Sequence, residues 1–223
     1  MSPRLARRLW RHHLPLFLFS GGGAFVLYVT RGYSDVLTRL SFSTAWPALI
    51  LLTLTLLIGP WRQLKGKTSA ISLDLRRDIG IWAGIAGLLH TGIGQCVHLR
   101  GRPWLYYVYE KPNAHVVPLR HDIFGLSNFT GLFAALILLA ALATSNDASQ
   151  HTLGNPSWKN LQRWNYACFA LAGFHTFGYL VGIESLKPAF IAMAALCMIV
   201  AATLQWAGYR RRILSQTVRN GTN

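Results

Sequence analysis

The stretch "GIWAGIAGLLHTGIGQCVHLRG", Gly80 to Gly101, is apolar over the length of a membrane-crossing helix, yet it carries His90 near its centre and His98 near its end. The rest of the chain sets the medium for those two imidazoles. Of 223 residues, 52% are hydrophobic and only 13% charged, too apolar a balance for an ordinary soluble domain. Crossing a bilayer takes about 20 apolar residues per helix. Six stretches meet that length: 14–30, 44–60, 79–99, 122–143, 164–182 and 188–208. The expected fold is therefore an all-α integral membrane protein, a six-transmembrane-helix bundle over 14–208, with basic tails at 1–13 and 209–223.

A formal net charge of +15 suits a nucleic acid or a membrane surface equally well until it is located. With the N-terminus cytoplasmic, fifteen Lys and Arg fall on the inner side (Arg4 to Arg11, Arg62 to Arg77, Lys159, Arg163, and Arg210 onward) and seven on the outer. That asymmetry is what the positive-inside rule expects, and it places both termini inside. Basic residues split among short loops make no continuous surface for nucleic acid, so membrane lipid is the expected partner. The first span is read as an uncleaved helix, because no small-x-small cleavage site follows Val29. Gly21, Gly22 and Gly23 lie inside that span and read as helix packing. Cys96, Cys168 and Cys197 fall singly, without the pairing of a zinc or covalent haem site. In the longest outer loop, Trp104, Tyr106, Tyr107 and Tyr109 read as an interfacial aromatic belt.

The histidines carry the first specific signal. His90 lies twelve residues beyond Asp78, and His175 twelve beyond Arg163, the matching inner boundary of the fifth span. Both helices run from inside to outside, so the two imidazoles sit at one depth, about 18 Å along helices that rise 1.5 Å per residue. A pair of neutral imidazoles projecting from facing helices to one level suits a bis-His haem b. The same residues also suit plain interhelical hydrogen bonding, the role most polar groups have in membranes. His98 and His121, near the outer ends of the third and fourth spans, form a possible secondary site or interfacial hydrogen bonds.

Two segments then point to a family. "SLDLRRDIGIWAGIAGLLH" resembles the R-R-x-x-G-x-W followed by His of the haem-binding transmembrane subunit of bacterial methionine sulfoxide reductase systems, a branch of the ferric-reductase-like transmembrane superfamily. "LGNPSWKNLQRWNYACFALAGFH" resembles that family's L-G-x-x-W-x-x-L-H-x-x-x-Y followed by His. The resemblance implies haem ligation by His90 and His175, a multi-pass place in the bacterial inner membrane, and a role as the electron-transfer subunit of an oxidoreductase, with no catalytic residue of its own. Where the family often has a further His, thirteen residues before the second ligand, this chain has Gln162, so one haem is expected rather than two.

The remaining expectations follow from depth and from what the sequence holds. Arg76 and Arg77, which fit the family motif, are candidates for a flavin phosphate or a headgroup. FMN or quinone near Gln162, Trp164 and Trp82 would bridge the inner gap. Arg100, Arg102 and Arg120 are the outer candidates for the haem propionates. No dinucleotide-binding G-x-G-x-x-G follows a strand, so electrons are expected from a flavin reductase, reduced flavin or quinol, and are passed to an outer redox acceptor protein or metal. A ferric or cupric reductase would share all of this except the acceptor. A membrane scaffold or transporter would bind no haem.

Overall fold

In a computed structural model of the chain, residues 3–65, 73–99, 101–111, 113, 115–184 and 188–220 are described. Eight α-helices follow one another: α1 (Pro3–Arg8), α2 (Leu14–Thr30), α3 (Val36–Lys65), α4 (Leu73–Gly94), α5 (Ile123–Ala143), α6 (Asp147–Arg163), α7 (Asn165–Phe177) and α8 (Pro188–Asn220). A π-helical turn, Leu9–His13, joins α1 to α2, and another, Gly178–Ile183, extends α7. No strand occurs among the described residues, where an isolated antiparallel bridge pairs Val108 with Leu119 in the α4–α5 connection.

Among the described residues five helical stretches are long and apolar enough to cross a membrane: Leu5–Thr30, Val36–Lys65, Ile123–Ala143, Asp147–Ile183 and Pro188–Thr217. The chain is thus a multi-pass helical bundle. Helix α4 is not among the five, because Asp74, Arg76, Arg77 and Asp78 at its start and five glycines, Trp82, His90 and Thr91 along it lower its mean hydropathy. Its 22 residues nevertheless rise about 33 Å, the thickness of a hydrocarbon core of about 30 Å.

The core is built around α3, which packs on α2, α4, α7 and α8. Trp46, Leu49, Leu51, Leu52 and Leu56 of α3 meet Ala83 of α4, Cys168 of α7 and Ala194 of α8 in one buried cluster. Helix α5 closes the bundle between α4 and α7. The α4–α5 contact is set by glycines: a Cβ at Gly84 would lie 3.2 Å from the Leu142 side chain, and one at Gly87 would lie 2.7 Å from that of Leu138. Small residues that admit a neighbouring side chain are the usual way membrane helices approach, since lipid gives them no hydrophobic drive to associate. Large apolar side chains on the outer helix faces, among them Phe133, Leu136, Phe174, Leu196 and Ile199, remain exposed to the lipid side.

Several boundaries differ from the sequence reading. Helix α4 stops at Gly94 rather than 99, and Leu99 adopts a left-handed φ of 49°. His98 is therefore off the helix, in the segment that follows it. The segment read as an inner loop carrying His151 is helical, α6, broken at Gly154 (φ 73°) two residues before Pro156. The basic segment after 208 continues α8 to Asn220 instead of leaving as a tail. The N-terminal tail is also helical, and Arg8 and His12 hydrogen bond Asp78 of α4. Tyr106 is not a belt residue: 1% exposed, it donates to the carbonyls of Gly94 and His98 and accepts from the His98 N–H, tying down the end of α4.

Candidate functional site

The C-terminal parts of α4 and α7 bring His90 and His175 together edge to face, with ring centroids 5.9 Å apart and planes at 71°. Each ring is oriented through Nδ1. His90 Nδ1 lies 3.0 Å from the Ser41 carbonyl of α3, and His175 Nδ1 lies 2.8 Å from the Ser127 carbonyl of α5. Carbonyls only accept, so each Nδ1 carries the proton and each Nε2 keeps its lone pair. Such a hydrogen bond from Nδ1 to a carbonyl is how metal-ligating histidines are held in one tautomer.

The approach of His175 to Ser127 requires Gly131. A Cβ there would stand 2.5 Å from Nδ1 and 2.9 Å from Cε1 of His175. Gly178, on the π turn, is needed in the same way, because a Cβ would collide with the Ser127 hydroxyl.

The two rings line a cavity between α3, α4, α5 and α7, walled by apolar side chains such as Leu49, Leu52, Leu138 and Ala172. Two imidazoles on opposite sides of one metal, at a metal–nitrogen distance of about 2.0 Å, place their centroids about 6 Å apart. The observed separation meets that condition. Among the described residues no cluster of three or more His, Cys, Asp or Glu side chains could hold a bare ion. Two axial donors in an apolar cavity instead suit a metal whose other positions are filled by a flat macrocycle. Among the small residues that precede the two histidines, Gly87 and Ala172 line the cavity, whereas Gly84 and Gly173 receive Leu142 and Met198 in helix packing.

One end of the cavity is polar, and sequence reasoning missed most of it. His98 lines it, stacked on Tyr179 at 6.3 Å and 20° and edge-on to Phe124. Tyr179 also packs 5.0 Å from His175 and donates to Asn128 Oδ1 at 3.0 Å. Glu184 closes the same end, accepting from the Tyr33 hydroxyl at 3.2 Å. The π turn that carries Tyr179 and Glu184 to the cavity has no signature that periodicity could reveal. His121, the other half of the expected secondary site, is elsewhere: it sits edge-on to Tyr109 and the structure gives it no part in this wall.

Neither Arg102 nor Arg120 lines the cavity. Arg102 pairs with Glu110, and Arg120 pairs with Asp122 while covering the Phe124 ring at 4.8 Å. Arg100, like Lys67 and Lys187 of the charge count, lies outside the described residues. No Lys or Arg lines the cavity among the described residues; its polar end is hydroxyl, amide, imidazole and one carboxyl.

About twelve residues further down α4, the opposite end of the bundle carries a second polar cluster. Asp78, fully buried, accepts from Arg8 and lies 2.7 Å from His12 Nδ1 and 3.3 Å from His13 Nε2. Trp82 donates to His13 Nδ1 at 3.2 Å. Arg77 bonds Asp147 and the Ser145 carbonyl, and Arg76 reaches past Gly59 of α3. Gln162 takes a 3.5 Å hydrogen bond from Asn165 on Oε1, while its buried Nε2 has no partner among the described residues. Trp164 is 59% exposed and faces away from the bundle. These residues occupy one end of the molecule, and none of Trp82, Gln162 and Trp164 lines the histidine cavity.

Comparison with known proteins gives a consistent set of relatives. The chain is 29% identical over 217 residues to the protein-methionine-sulfoxide reductase heme-binding subunit MsrQ of Bordetella pertussis, covering 95% of this chain and 97% of that one. The protein of the same name from Azospira oryzae is 30% identical over 156 residues, 70% of this chain and 58% of its own. That from Deinococcus radiodurans is 35% identical over 130 residues, 57% and 56% of the two chains. No family profile matches the chain.

Proposed function

We infer that this chain, a relative of the heme-binding MsrQ subunits along nearly its whole length, is a haem-binding membrane electron-transfer subunit of an oxidoreductase system. The observation that carries the reading is the His90–His175 pair, both rings held through Nδ1 by helix carbonyls, with an apolar cavity between four helices. In this reading α2, α3, α4, α5, α7 with its π turn, and α8 are six crossings. Both termini are cytoplasmic, as the basic residues favour, and the membrane is the bacterial inner membrane. The domain assignment stays that of one haem-binding transmembrane bundle over 14–208, flanked by the basic terminal segments.

His90 and His175 would hold one haem b through Nε2. The group would supply a one-electron couple for electron transfer. Ser41 and Ser127 keep each imidazole in the donor tautomer, and Gly131 lets His175 reach its carbonyl. The apolar walls exclude water. At the polar end, His98, Tyr179, Asn128 and Thr38 are the side chains available to the propionates, a role the sequence reading gave to Arg100, Arg102 and Arg120.

On the cytoplasmic side the electron donor is a flavin reductase, reduced flavin or quinol. FMN or quinone bound near Gln162 is the proposed inner carrier, supported by the unpartnered buried Nε2 of that residue. The outer acceptor is a sulfoxide reductase protein, the class to which the relatives' name attaches them. Purified protein in liposomes tests the route. Ferricyanide trapped inside should be reduced when reduced FMN or a reduced quinone analogue is added outside, and not with His90→Ala or His175→Ala. Haem-loaded protein that passes no electrons would overturn the electron-transfer role.

A further inference from the structure

Electron arrival in an apolar cavity adds a negative charge where dielectric screening is weak, and a nearby cation or proton must compensate it. The cavity wall contains no Lys or Arg among the described residues, and its one acidic side chain is Glu184. That side chain is held in place. Its backbone N–H donates to the Tyr179 carbonyl at 2.9 Å, and its Oε2 accepts from Tyr33 at 3.2 Å. Tyr33 belongs to the short α2–α3 connection, between the exposed Gly32 and Ser34, so one hydrogen bond separates the carboxyl from the aqueous rim. Burial pushes the Glu184 carboxyl above its ordinary range, against the Tyr33 hydrogen bond and the neighbouring His98, which lower it.

We propose that Glu184 is a redox-linked proton site: the carboxylate at the outer end of the haem cavity takes a proton from outer water as an electron enters from the cytoplasmic donor, and returns it as the electron leaves. The step balances. The haem would supply a one-electron couple; for the one electron taken from the donor, one proton converts the Glu184 carboxylate to the acid, and when the electron passes to the outer one-electron acceptor that proton returns to outer water. This inference rests on the haem reading above.

The groups facing Glu184 define the alternatives. Tyr33 reaches it from the α2–α3 connection, His98 from the segment after α4, and Tyr179 from the π turn. Arg39 donates to the Tyr33 carbonyl, and Arg31 lies over the Phe190 ring at 3.9 Å. Of these, Tyr33 is pushed up to about 12 by burial and by Glu184, so it relays a proton without holding the charge. His98 and the haem propionates, which this polar end would face, are the rivals for the proton.

Spectroelectrochemical titration of the haem-loaded full chain across pH separates them. Wild type should show a midpoint potential that falls as pH rises, approaching a tenfold change in the equilibrium per pH unit, about 59 mV for one electron. Glu184→Gln should flatten that dependence while leaving the reduced and oxidised spectra unchanged, and His98→Gln should retain it. Reduced-minus-oxidised infrared spectra of the wild type should show a protonated-carboxyl band appearing on reduction and shifting in deuterium oxide. Glu184→Asp, which keeps a carboxyl, should keep the slope and shift that band, whereas a propionate band would stay where it is; this variant decides the matter even where the glutamine variant fails to load haem. A pH-independent wild-type potential, a slope kept in Glu184→Gln, or a slope lost only in His98→Gln overturns the proposal while the haem reading stands. Absence of haem from the wild type overturns the haem reading itself.

Discussion

Replacing Gly131 by alanine should remove haem without unfolding the bundle. The added Cβ would stand 2.5 Å from His175 Nδ1, where ordinary contact begins near 3.4 Å, so the imidazole must move by about 1 Å or turn away. Moving breaks its 2.8 Å bond to the Ser127 carbonyl, a net loss of about 1 kcal/mol, and staying imposes an overpacking cost of about 1–3 kcal/mol. Loss of an outer-shell partner of a metal ligand typically lowers affinity by about 10–100-fold, in line with this sum. In the free protein the ring can rotate into the cavity, and alanine gains up to about 1 kcal/mol over glycine in helix propensity, so the apo fold is retained. Haem per polypeptide, the low-spin absorption bands and a thermal melt in detergent read these outcomes together. Gly92→Ala is the control, since nothing lies within 4 Å of its added Cβ. Full haem content with an unchanged spectrum in Gly131→Ala would refute the assignment of Gly131 and the Ser127 carbonyl as the support of His175.

Other consequences follow from groups away from the histidine pair. Asp78→Asn should cost about 3–5 kcal/mol, because it leaves Arg8 beside an uncharged buried partner; denaturant titration should show it, with faster proteolysis of α1. Tyr106→Phe should cost about 1–3 kcal/mol, since the part-buried N–H of His98 and carbonyl of Gly94 lose the buried hydroxyl they share, and thermal melting should read the loss. Asp122 caps α5 through the Gly125 N–H at 2.8 Å, and Arg120 holds its carboxyl below the usual range. Its contribution is therefore present above the unfolded carboxyl pKa and lost as pH falls through the lower folded value. Asp122→Ala should cost about 0.5–2 kcal/mol near neutrality and little in acid, by melts at the two pH values.

The apolar spans were legible because lipid demands length and hydropathy, and the His90–His175 pair because equal distances from two inner boundaries mean equal depth in parallel helices. What surrounds the pair was not. Ser41 and Ser127 act through backbone carbonyls, which every residue has, so their identity carries no signal. Glu184 reaches the cavity only because a π turn shifts the register after Phe177. His98 joins the cavity because α4 ends at Gly94 and the chain turns back under Tyr106, an event that helical periodicity cannot anticipate. The outer arginines looked like propionate partners from their position alone, and local carboxylates, Glu110 and Asp122, claim Arg102 and Arg120 instead. Helix α6 read as a loop because Gly154 and Pro156 interrupt a polar segment, yet each half is helical.

The central claim is that His90 and His175 hold one haem between them. The dithionite-reduced minus oxidised spectrum of protein purified from haem-replete cells, with haem counted per polypeptide, tests it most directly beside His90→Ala and His175→Ala. The account predicts a low-spin b-type spectrum at one haem per chain that disappears in both variants while each remains folded. A folded wild type without pigment, or a spectrum that survives in either variant, would contradict it.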